Sequence, residues 1–173
     1  MVRTKMISID MIPKAVDKAL RYRLLNEPLQ AESICRDVLG ADPNHQPALR
    51  TLLLALTDQF ETKYTDALNG AQEVLAQLTS EYDQAYHEGI IHERWGLAQL
   101  ANRVPGETAL GWLRQAMRCY EKAEMLSEPG DPDAVLRWNT CARFLAQFNS
   151  VSRVETSLSH DVHGEFGDDV PLL

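Results

Sequence analysis

Between Ile12 and Phe148, short clusters rich in proline, glycine, asparagine, aspartate and serine separate longer stretches with few of them. The clusters are "NEP" (26–28), "ADPN" (41–44), "ETKY" (61–64), "TSE" (79–81), "NRVPGET" (102–108) and "SEPGDPD" (127–133). Such residues stop helices and start turns because they fix or free the backbone dihedrals. Within the stretches, apolar residues recur every three or four positions, and alternating β-branched runs are missing. The pattern predicts an all-α chain of seven helices at 12–25, 28–40, 46–60, 64–78, 82–102, 109–127 and 133–148. Asp131 before Pro132 reads as an N-cap followed by proline at the first helical position. Connections this short force successive helices into antiparallel hairpins.

The even-numbered helices share a further pattern. Ala31, Cys35 and Val38 match Ala67, Ala71 and Val74, and match Ala116, Tyr120 and Ala123 in spacing. Twelve residues before Ala31 lies Ala19, with Tyr22 three residues on, and twelve before Ala67 lies Ala55; Pro43 lies twelve beyond Ala31. Small residues let two helices approach closely while bulky ones fill the spaces between hairpins. On these positions the stretch 12–148 resembles the tetratricopeptide-repeat (TPR) proteins. The resemblance implies a right-handed α-solenoid of about three hairpins with a C-terminal capping helix, stacked because one hairpin cannot bury its apolar face alone. The match is clearest in the first unit. The second has Thr79 where proline is expected. In the third, Gly89 is the close-approach position, yet it precedes Ala116 by 27 residues instead of twelve. A lengthened fifth helix followed by a longer loop would account for this. Residues 1–11 read as an N-terminal arm. Residues 149–173 carry Glu155, Asp161, Glu165, Asp168 and Asp169 against Arg153, and read as an acidic, flexible tail.

The formal net charge of −8 argues against nucleic acid or an anionic membrane as partner, since both require a cationic face. The densest apolar stretch, "LLLAL" at 52–56, is far shorter than a membrane-spanning helix. No leader-like apolar segment opens the sequence. Cys35, Cys119 and Cys141 form no CxxC pair, and behave as small core residues of a cytoplasmic protein.

Few constellations could carry chemistry. In "HEGIIHE" (87–93) the histidines are five apart, about 140° around a helix, so they cannot share one metal as in an H-E-x-x-H motif. Glu88 and His92 do share a face, but two ligands are too few. His160, Asp161 and His163 offer at most an adventitious metal site. No base adjoins a cysteine in sequence, and no phosphate-binding glycine loop or nucleophile elbow is present. No catalytic set, metal or cofactor is therefore expected.

Binding is the better-supported chemistry. In TPR proteins the first helix of each repeat lines a concave groove, and here the resemblance puts Leu20, Arg23, Leu49, Leu52, Leu56, Tyr86, Ile90, Asn139 and Arg143 on that face. Ala19, Ala31, Cys35, Ala55, Ala67, Gly89, Ala116 and Tyr120 are its packing positions. Only Arg23, Asn139 and Arg143 distantly match the Lys/Asn/Arg clamp with which some members grip carboxyl-terminal peptides, so that activity is not carried over. The expected function is that of a non-enzymatic adaptor or scaffold for a protein or peptide partner. One alternative is a regulatory or chaperone-like subunit whose groove is closed by its own tail or by a second copy. A metal-dependent enzyme built on residues 87–93 is the remaining one.

Overall fold

The computed structural model describes the backbone of residues 4–161 and the side chains of residues 4–63 and 65–148. It is all-helical. A short 3₁₀ turn at Ile9–Met11 leads into α1 (Ile12–Leu24), α2 (Pro28–Ala41), α3 (Gln46–Thr57), α4 (Tyr64–Leu75), α5 (Glu81–Ala101), α6 (Gly106–Leu126) and α7 (Asp133–Asp161). No strand occurs among the described residues.

The helix starts follow local chemistry. Pro13, Pro28 and Pro47 sit in the first turns of α1, α2 and α3, where a missing N–H costs nothing. Ser80 caps α5 by accepting the Asp83 N–H, and Asp131 caps α7 by accepting the Asp133 N–H at 3.0 Å. α1 and α5 end alike. After α1, Asn26 takes φ 60° and Glu27 N–H reaches back to the Tyr22 carbonyl; after α5, Arg103 takes φ 59° and Val104 N–H reaches the Gln99 carbonyl. Both are Schellman closures, in which a left-handed residue satisfies the last carbonyls.

Two boundaries differ from expectation. The α5–α6 connection is short, not long, because Gly106 enters α6 directly after Pro105, three residues earlier than the sequence pattern suggested. α7 continues to Asp161, well into the stretch read as a tail from residue 149. No proline or glycine falls between residues 133 and 161, and Val151, Val154 and Leu158 keep helical spacing in the sequence, which accounts for the longer helix. Residues 162–173, with "DVPLL", lie outside the described residues.

Each helix packs on its chain neighbours, and α3 also touches α1 and α5. One core cluster joins α1 to α5 around Leu49, Leu53, Phe60 and Trp95. A second joins α5, α6 and α7 around Ile90, Leu110, Leu113, Tyr120 and Cys141. α5 belongs to both. Its narrowest approach is to α6. A Cβ on Gly89 would lie 2.5 Å from the Tyr120 ring, and one on Gly96 would lie 2.9 Å from the Ala109 carbonyl oxygen. The eight residues assigned to packing positions, from Ala19 to Tyr120, are all buried. No described helix is long and apolar enough to cross a membrane.

Candidate interaction surface

The side chains assigned to a concave groove do not share one open face. Leu49, Leu52, Leu56 and Ile90 are only 1–4% exposed and belong to the two cores. They are packing residues: the three leucines because α3 is enclosed by α1, α2, α4 and α5, and Ile90 because it enters the core that α5 shares with α6 and α7. Leu49, Leu52 and Leu56 close the floor of a cleft of about 380 Å³ between α2 and α4, rimmed by Arg36, Glu73 and Gln77. Tyr86 is half-buried, with its ring parallel to Tyr82 at 5.7 Å and tilted against Tyr120 at 5.9 Å. Asn139 is half-buried and Arg143 exposed on α7.

Arg23 does face outward from α1, but it is engaged. Its Nε donates to Asp58 Oδ2 at 2.6 Å. The other Asp58 oxygen accepts from Arg94 of α5, which also donates to Thr57 Oγ1 at 2.6 Å and to the Leu54 carbonyl at 3.2 Å. Burial disfavours the Arg94 charge, and Asp58 opposes that effect. Arg23, Asp58 and Arg94 thus tie α1, α3 and α5 together. Arg50 to Asp83 at 2.7 Å adds a second α3–α5 link.

A third polar knot is interior. Tyr120 is fully buried and its hydroxyl donates to Glu93 Oε2 at 2.5 Å; Arg137 of α7 donates to Glu93 Oε1 at 3.1 Å. Burial, with the Glu93 charge beside it, pushes the Tyr120 phenol far above its ordinary range. Burial pulls His87 below the ordinary histidine value, although its ring contacts the Asp83 carbonyl oxygen at 2.7 Å. Burial likewise raises Cys35 and Cys141 to about 12 and Cys119 to about 11. Thiols held that high remain protonated at neutral pH and make poor nucleophiles.

Exposed apolar side chains gather along the first helix and the segments that flank it. Leu24 is 84% and Leu25 68% exposed, and Met6, Ile9, Met11, Leu20 and Leu29 are exposed as well. Among the described residues, the other exposed large apolar side chains are Met125, Leu126, Val135 and Leu136, around the α6–α7 turn. Lys14, Lys18 and Arg21 form a stripe along α1. With Asp17, Tyr22 and Leu25 they line an open depression of about 470 Å³. The Lys18 ammonium sits 6.0 Å from the Tyr22 ring centre. Four cations and one carboxylate fall within α1, a local reversal of the molecule's negative charge. No sequence run signalled it because the cations are never adjacent; reading α1 at helical period would have found it.

No protein-family model, curated protein or solved structure matches the chain.

Proposed function

We propose that the chain is a non-enzymatic interaction module, a TPR-like helical repeat acting as adaptor or scaffold, whose partner docks on α1. The observation that carries this reading is the coincidence of exposed apolar residues with a cationic stripe on one terminal helix of the stack. Exposed apolar side chains gathered beside a charged stripe are a feature of binding surfaces. The chemistry fits an amphipathic helix or strand with an apolar edge and carboxylates flanking it, because opposite charge orients and accelerates docking.

The chain itself contains a segment of that chemistry. Residues 162–173 read "VHGEFGDDVPLL", with Glu165, Asp168 and Asp169 beside Val170, Leu172 and Leu173. This favours, as a second reading, a regulatory subunit whose α1 surface is covered by its own C-terminal segment until a partner displaces it.

The test combines charge reversal with cross-linking on the full-length protein. Lys18→Glu with Arg21→Glu alters exposed side chains only, so the circular dichroism spectrum and Tm are expected to stay unchanged. Proteins captured from extract by the wild type and carrying acidic amphipathic segments should fall at least tenfold with the variant. Equal recovery by both proteins would overturn the α1 assignment. Carbodiimide links from Lys14 or Lys18 to Glu165, Asp168 or Asp169 within one chain would favour the self-covering reading.

A further inference from the structure

We propose that Glu88, His92 and Cys119 form a binding site for a divalent transition cation of the zinc class, bridging α5 and α6. Their ligand atoms all lie within 4.8 Å of one another. Glu88 and His92 are one turn apart on α5, and Cys119 comes from α6, so the third ligand is brought by tertiary packing. A pair insufficient in sequence becomes a trio in space.

The donor set selects the ion. A thiolate, an imidazole and a carboxylate suit a borderline-soft cation, whereas calcium and magnesium prefer oxygen donors throughout. Ligand bonds of about 2.0–2.3 Å would bring the donors to roughly 3.3–3.8 Å from one another. The closure required is about 1 Å, and the Glu88 side chain, 46% exposed, can adjust toward the ion. His92 Nε2 already stands 3.8 Å from Glu88 Oε1, and Cys119 Sγ lies within 4.8 Å of both ligand atoms. The His92 ring stacks on Trp112 at 5.3 Å and 26°, which holds the imidazole in place as supporting residues do around metal ligands. Arg118 and Lys122 stand near Cys119 and oppose the cation. The carboxylate and the thiolate together balance its two charges.

On binding, the Cys119 S–H bond breaks and a sulfur–metal bond forms, and the proton passes to solvent. No electron is transferred. Three protein ligands leave a fourth position toward solvent, where water completes a tetrahedral site. The site is independent of the α1 surface, and each stands or falls alone.

The probe is Co²⁺ added to the full-length, purified protein, with Zn²⁺ as competitor. Expected are a near-ultraviolet thiolate-to-cobalt charge-transfer band, visible bands of tetrahedral intensity, and saturation at one ion per chain. Cys119→Ser should abolish the thiolate band. His92→Gln, at a partly buried position, and Glu88→Gln, at a half-exposed one, should each weaken binding at least about tenfold. His160→Ala with His163→Ala should leave the band intact. A missing band, one that survives Cys119→Ser, or affinity unchanged in both α5 variants would overturn the proposal. Each variant's circular dichroism shows that loss of binding is not loss of fold.

Discussion

Gly89 and Tyr120 show how one missing carbon can decide a helix contact. The Tyr120 ring is fully buried, its hydroxyl is held by Glu93, and its edge occupies the space a Gly89 Cβ would fill. Because the ring is anchored at both ends, it cannot retreat. Gly89→Ala is therefore expected to destabilise by about 1–3 kcal/mol through overpacking, despite the roughly 1 kcal/mol that alanine contributes to helix propensity. Gly111, mid-helix in α6, has nothing within 4 Å of its Cβ position. There the propensity acts alone, and Gly111→Ala should stabilise by up to about 1 kcal/mol. Urea midpoints of the two variants must move in opposite directions; a shared direction would mean that α5 and α6 are not this close. The close approach was visible in sequence as Gly89 opposite the second helix of its unit. Gly96, seven residues on and equally tight against the Ala109 backbone, was missed, although the i, i+7 spacing put both glycines on one stripe of α5.

At the scale of elements, punctuation made all seven helices readable, because proline, glycine and capping side chains act within a few residues. Side chains that join helices were not readable, since Asp58 meets Arg23 and Arg94 across 35 and 36 residues. Separations of 31 and 27 residues likewise hid Cys119 from Glu88 and His92. The groove positions on α3 show a related limit. An apolar stripe looks the same whether it faces a ligand or a neighbouring helix, and here Leu49, Leu52 and Leu56 are almost wholly buried while still flooring the cleft between α2 and α4. Two predictions follow from how elements end and join. Arg103 holds a left-handed conformation that costs a side-chain-bearing residue about 1–2 kcal/mol. Arg103→Gly should accordingly raise stability by about 1 kcal/mol, and an unchanged or lower urea midpoint would mean the Schellman turn after α5 is not formed. Asp58→Ala leaves the largely buried Arg94 facing Arg23 without its carboxylate. Losing a hydrogen-bonded charge partner should cost about 1–3 kcal/mol, while Asp58→Asn, which still accepts hydrogen bonds, should cost less. Equal stability of all three proteins in a thermal melt would show that the α1–α3–α5 link contributes nothing.

For the molecule as a whole, the question is whether two core clusters make one cooperative unit. α4 and α5 share a limited contact, so the break at "TSE" could have divided the chain in two. The coupling runs through α5 instead. Ile91, Trp95 and Ala98 enter the first cluster, with Trp95 edge-on to Phe60 at 5.6 Å, while Ile90 of the same helix enters the second. Arg50–Asp83 and Arg94–Asp58 reinforce the joint from α3. A helix buried by both clusters cannot lose one without exposing apolar surface to water. Unfolding is therefore expected to be a single transition. Tryptophan fluorescence reports on both sides of α5, through Trp95 in the first cluster and Trp138 in the second, and its urea curve should overlay that of far-ultraviolet circular dichroism. Ile90→Ala removes a buried side chain from the second cluster alone, and should lower the common midpoint by the equivalent of about 2–5 kcal/mol without splitting the transition. Separate midpoints for the two probes, or a variant that shifts only one, would show that α5 divides the molecule where the contacts indicate that it binds it together.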